Sequence, residues 1–181
     1  MKTEFDIKII RNHWIKDDGK DYPQDLCSHG KIYLKIGDEI LSNENSSSWT
    51  TSSTALLLMR TVMTEYLPGK FSSQLLPCCG HFFIASEDHK SVDIMGCPNG
   101  IDWTIKHEDD FVKHITEAGT IARIAREDYK SLIIELANSV EKFYEESQQK
   151  EIPNDEFDRK GYQSFWIEFK SLKSKLLANN M

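Results

Sequence analysis

Three turn-like segments of the chain carry cysteine and histidine residues, the types that bind metal through sulfur and imidazole nitrogen. Their sequences are LCSHG, PCCGH and GCPNG. Thiolate and neutral imidazole are the usual ligands of structural zinc, and they are often spaced two residues apart. Cys78 and His81 have that spacing, and Cys27 with His29 forms a looser pair. These four residues are the candidate zinc ligands, whereas Cys97 has no second ligand at the usual spacing.

Two other interpretations of the same segments stay open. Free cysteines commonly fill crowded interiors near turns, so the thiols can simply be packing residues. A nucleophilic cysteine would need a lowered pKa and a base within contact. His81 follows Cys79 by two residues, which along a strand gives a shared face without contact. An enzyme with a cysteine or carboxylate site is therefore an alternative without an assigned catalytic residue or cofactor, and the common nucleotide-binding and hydrolase motifs do not occur.

A second segment, HEDDFVKH, combines two imidazoles with three carboxylates. It is not the H-E-x-x-H pattern of zinc peptidases, and it falls between two predicted strands. Surface charge is far commoner than an acidic catalytic site, so the segment is interpreted as a solvated turn. Glu108, Asp109 and Asp110 are then available to a binding partner.

The net charge of −7, from 29 acidic and 22 basic residues, bears on the kind of partner. An acidic surface repels nucleic acid and anionic lipid and attracts cations. No run of Lys or Arg interleaved with aromatics offsets this. We therefore expect a soluble interaction protein that binds a basic protein partner, with Glu108, Asp109 and Asp110 as acidic contacts and Trp49 as an exposed aromatic anchor.

In size and charge the chain resembles the small acidic immunity proteins of bacterial toxin systems. The resemblance is to a class and to the general character of a bacterial protein, and no motif carries functional residues across. It implies neutralisation of a cognate toxin by direct contact.

The expected location is the cytoplasm. The first residues include Glu4 and Asp6, where a secretory signal needs a basic start and an apolar core. The strongest apolar stretch, 55–62, is much shorter than the roughly 20 residues of a membrane span. In a reducing compartment the four cysteines would be thiols or metal thiolates rather than structural disulfides.

The hydrophobic pattern predicts an α+β fold in one domain, residues 1–181. Alternating residues predict short antiparallel strands near 5–14, 31–36, 39–41, 81–86, 91–95, 101–107, 111–116 and 120–125. Helical spacing predicts one helix over 55–66, after a Ser/Thr-rich loop at 42–54, and two long amphipathic helices near 129–144 and 157–178. We expect the two long helices to pair and, with the earlier helix, to cover the sheet.

Overall fold

A computed structural model describes residues 4–78 and 82–178. The α+β prediction is confirmed within these residues, with short antiparallel strands and three helices. The elements in chain order are β1 (Phe5–His13), β2 (His29–Ile36), β3 (Glu39–Ser42), β4 (Trp49–Thr50), α1 (Thr51–Met63), β5 (Phe82–Ala85), β6 (Val92–Met95), β7 (Thr104–Glu108), β8 (Phe111–Ile115), β9 (Ile121–Ala125), α2 (Arg126–Glu145) and α3 (Glu156–Ala178).

The first sheet has the strand order β1-β2-β3, and the short strand β4 also pairs with β2. Phe5 lies opposite Ile36, and the alternating side chains on this face of β1 and β2 are buried, as a one-sided sheet requires. Gly37 in the β2–β3 turn has a φ of 58°, a conformation that glycine adopts without a Cβ penalty.

The remaining strands do not extend this sheet. β5 and β6 form a separate hairpin, and β7, β8 and β9 form a three-stranded sheet. The predicted strand at 101–107 begins later, at Thr104, because Ile101 instead forms an isolated bridge with Leu76. The strands are confirmed, but they belong to three sheets.

The Ser/Thr-rich segment differs most from its prediction as a loop. α1 begins at Thr51, so part of the hydroxyl run forms its first turn, and Thr51 to Thr54 are all buried. Small side chains fit there because β1 and β2 pack closely against the helix: a Cβ on Gly30 would lie 2.9 Å from Thr51 Cγ2 and 2.3 Å from the Arg11 carbonyl oxygen. The side chains at the start of α1 are therefore buried by close packing and internal hydrogen bonds instead of facing solvent.

The two long helices have different partners. α2 packs along α1, where the Tyr129 and Thr61 hydroxyls are 2.7 Å apart. α3 packs on the β5–β6 hairpin, with the rings of Phe165 and Phe83 stacked at 4.6 Å. The two helices meet each other less extensively than predicted. No helix within the described residues has both the length and the hydrophobicity needed to cross a membrane.

Candidate functional site

The acidic turn predicted as a binding surface joins β7 to β8. Glu108 is neutralised by Arg123, at 2.7 Å, and by Lys113, at 3.4 Å, and the Arg123 guanidinium lowers the pKa of this carboxyl. Asp109 and Asp110 are exposed. Local cations thus offset part of the acidity that the sequence pattern indicates for this turn.

The exposure predicted for Trp49 is wrong. The residue lies in β4, is 7% exposed and belongs to the hydrophobic core. Its indole nitrogen donates a hydrogen bond of 2.7 Å to the Ser42 hydroxyl, which in turn donates to the Ile32 carbonyl oxygen. A surrounding of Ser and Thr suggested a solvated loop, but the indole ring is a structural residue and is not available as a surface anchor.

The candidate zinc ligands are described only in part, since His81 lies outside the described residues. Cys27 lies two residues before His29, the first residue of β2. Cys78 approaches the same region through its carbonyl oxygen, which accepts a hydrogen bond from Thr50. Thr50 pairs with His29 in the sheet. Among residues 4–78 and 82–178, however, no three Cys, His, Asp or Glu side chains converge to hold a metal. The zinc site stays a prediction.

The local chemistry around Cys27 and His29 favours neutral groups. Burial raises the pKa of the Cys27 thiol to about 12, and the Asp25 carboxylate adds to this effect. Burial likewise lowers the pKa of His29. The His29 Nδ1 atom is 3.0 Å from the Cys27 carbonyl oxygen, which can only accept, so Nδ1 carries the proton. The buried Nε2 atom has no hydrogen-bond partner among the described residues.

A different site emerges from residues far apart in the sequence. A cleft of about 420 Å³ lies between the start of β3, the β8–β9 turn and the segment 100–102. Its charged lining residues are Glu39, Asp102 and Glu117, and no described residue lining it is Lys, Arg or His. These three carboxylates do not converge closely enough to hold a metal ion.

Asp102 is held rigidly in this cleft. Its Oδ2 atom accepts a hydrogen bond of 2.8 Å from the Tyr66 hydroxyl, and its Oδ1 atom accepts from the backbone N–H groups of Leu75 and Trp103. Burial nevertheless raises the pKa of this carboxyl, and the three hydrogen bonds only partly oppose the effect. A carboxylate whose ionisation is opposed by burial gains more from a nearby cation than an exposed one does.

The other two carboxylates line the cleft from the sheets. Glu39 is the first residue of β3, and its Oε2 atom accepts a hydrogen bond of 2.6 Å from the buried Thr116 hydroxyl. Glu117 is exposed in the β8–β9 turn. No sequence pattern groups these three residues, because they lie far apart in the chain. The only signal was that Asp102 lies on the polar side of an alternating run.

A second cleft, of about 400 Å³, separates the end of α2 from α3. Its floor is aromatic, with the Tyr144 and Trp166 rings 4.7 Å apart. Its rim carries both signs of charge, including Glu145 and Lys170. This mixture selects no particular class of ligand, whereas the charged residues described in the lining of the first cleft are all carboxylates.

Comparison with family models, with curated proteins and with solved structures finds no match for this chain.

Proposed function

We propose that this protein is an interaction protein that binds a cationic protein partner in the cleft formed by Glu39, Asp102 and Glu117. The observation that carries the proposal is a concave site with three carboxylates and no cationic lining residue in the described chain. Unlike Glu108, which has Arg123 and Lys113 beside it, these three carboxylates form no ion pair within the part of the chain that the structure describes.

The dimensions and charge of the cleft favour a Lys or Arg side chain of the partner as its occupant. A guanidinium can bind a carboxylate through two parallel hydrogen bonds, which makes arginine the better fit. Burial opposes the ionisation of Asp102, and a cation that enters the cleft offsets this free-energy cost. The overall charge of −7 adds long-range attraction and speeds association with a basic partner.

The resemblance to immunity proteins supplies one partner of this kind, a basic toxin neutralised by contact. The exposed Asp109 and Asp110 lie at the opposite end of the β7–β8 hairpin from the cleft and are outside the proposed contact. Trp49 has no part in the proposed contact because it is buried.

A hexa-arginine peptide carrying a fluorophore tests the proposal by fluorescence anisotropy. The cleft variant combines Glu39→Gln, Asp102→Asn and Glu117→Gln. The control combines Glu44→Gln, Asp109→Asn and Asp110→Asn, which changes the net charge equally at exposed positions. We expect the cleft variant to bind about tenfold or more weakly, and the control to stay within about twofold of wild type.

Circular dichroism of each variant checks that the fold is intact. Lowering the pH toward the raised pKa of Asp102 should also weaken binding by the wild type, because protonation removes its charge. Equal weakening of the cleft variant and the control would show diffuse charge attraction and contradict the cleft as the site. So would a wild type that does not bind the peptide at 50 mM salt.

A further inference from the structure

Cys78 and Cys97, which their spacing in the sequence does not group, are in contact in the structure. The Sγ atoms of Cys78 and Cys97 are 2.9 Å apart. This is about 0.9 Å longer than a disulfide bond of about 2.05 Å, so a small side-chain movement closes the distance. Both residues are partly exposed, which gives a small oxidant access to the sulfurs.

The backbone holds the two segments together next to the sulfurs. Leu76 and Ile101 form a reciprocal bridge, with both N–H to carbonyl distances at 3.0 Å. Thr50 fixes the other side: its N–H donates to the Pro77 carbonyl oxygen at 2.9 Å, and its hydroxyl donates to the Cys78 carbonyl oxygen at 3.0 Å. The approach of the thiols is therefore imposed by the fold rather than by a chance side-chain rotamer.

We infer that Cys78 and Cys97 form a reversible disulfide with a low-molecular-weight disulfide as oxidant. The thiolate of one cysteine attacks a sulfur of the oxidant, forms a mixed disulfide and releases one thiolate. The second cysteine attacks the protein sulfur of that mixed disulfide and releases the other thiolate. Two protein thiols lose two protons and two electrons, and the oxidant is reduced to two thiols.

The bond closes the chain from residue 78 to residue 97 into a loop that contains the β5–β6 hairpin. α3 packs on this hairpin through Phe83 and Phe165, so oxidation constrains the support of the last helix. Closing a loop of this length reduces the freedom of the unfolded chain. We expect the Tm of the oxidised protein to be about 5–10 °C higher than that of the reduced protein.

The test equilibrates the full chain with glutathione and glutathione disulfide at stepped ratios. Acid stops exchange, N-ethylmaleimide then labels the remaining thiols in denaturant, and peptide mass mapping identifies any crosslink. Because no Lys or Arg separates Cys78 from Cys79, the variants Cys78→Ser and Cys79→Ser assign the bond. We expect the crosslink to Cys97 in wild type and in Cys79→Ser, its loss in Cys78→Ser and Cys97→Ser, and full reversal by dithiothreitol.

Two results would overturn the inference. One is four labelled thiols in wild type at the most oxidising ratio. The other is a crosslink that persists in Cys78→Ser and disappears in Cys79→Ser, which would assign the bond to the neighbouring cysteine. If a serine variant fails to fold, as judged by circular dichroism, the wild type and Cys79→Ser still decide the question, since a crosslink retained in Cys79→Ser joins Cys97 to Cys78.

Discussion

The Cys27 thiol is suppressed as a nucleophile by its surroundings, since burial raises its pKa to about 12. Cys27 and Cys97 are both partly exposed, so the expected difference comes from the raised pKa of Cys27: because alkylation requires the thiolate, native Cys27 should react with iodoacetamide at pH 7.5 at least about tenfold more slowly than Cys97. Mass spectrometry of peptides from a time course measures both rates. In urea, where the burial is lost, the two rates should become similar. Equally fast labelling of Cys27 in the native protein would contradict this prediction and revive a cysteine-based enzyme.

Individual residues were the least predictable level of this protein. Sequence spacing grouped Cys78 with His81, because ligand motifs are read along the chain, but the nearest described thiol to Cys78 belongs to Cys97. Asp102 was similarly hidden, since its proposed role depends on two carboxylates supplied by distant segments of the chain, Glu39 and Glu117. Contacts between distant segments depend on the tertiary fold, and a local pattern carries no information about them.

At the scale of elements, α3 depends on one small residue for its contact with β5. A Cβ added at Gly161 would lie 2.0 Å from the Phe83 carbonyl oxygen. In an exposed helix Gly→Ala stabilises by about 1 kcal/mol, but here the helix must move away from the strand. We expect Gly161→Ala to lower the free energy of unfolding by about 1–3 kcal/mol, measured by urea denaturation.

Ser171→Ala is the matched control, because Ser171 is exposed on the same helix. It should change stability by no more than about 0.5 kcal/mol. A Gly161→Ala variant as stable as wild type would mean that α3 does not approach β5 as closely as the structure places it.

Elements with a strong period were predicted well, and the Ser/Thr run was not. The apolar stripe of α2, including Tyr129, Ile133 and Val140, is buried as its spacing predicts. The start of α1 has no such stripe. Thr51 and its neighbours are polar, and their burial is satisfied in part by hydrogen bonds from Thr51 to Asn12 and with Ser28. A polar side chain is therefore expected to be exposed only when the fold offers it no buried hydrogen-bond partner.

At the scale of the whole molecule, the fold class followed from the sequence but the arrangement of sheets did not. The alternation of apolar and polar residues indicates which face of a strand is buried, but it does not indicate which other strand pairs with it. Two isolated β-bridges illustrate this. Tyr66 pairs with Ile105, and Leu76 pairs with Ile101, and neither pair belongs to a hairpin. The acidic cleft and the thiol pair both lie near these bridges, so the two proposed sites depend on the part of the fold that was hardest to predict.

The pH dependence of global stability follows from a histidine in the core. His114 is fully buried, stacks on Phe5 at 3.8 Å and accepts a hydrogen bond from the Trp103 indole through Nδ1. Burial, with a smaller contribution from His107, lowers its pKa from 6.5 to about 3. Between these values the unfolded chain binds a proton that the native protein does not, so stability is complete above pH 6.5 and is lost as the pH falls.

Lowering the pH from 7 to 5 should therefore remove about 2 kcal/mol of unfolding free energy through His114 alone. His114→Phe keeps an aromatic ring beside Phe5 but leaves the Trp103 indole without its acceptor. It should lose about 1–3 kcal/mol at pH 7 and show a correspondingly smaller further loss at pH 5. Urea denaturation at the two pH values measures this difference, with the exposed His89→Asn as control. If His114→Phe retains the full wild-type loss between pH 7 and pH 5, the acid sensitivity has another source, and among the described histidines the other one with a lowered pKa is His29.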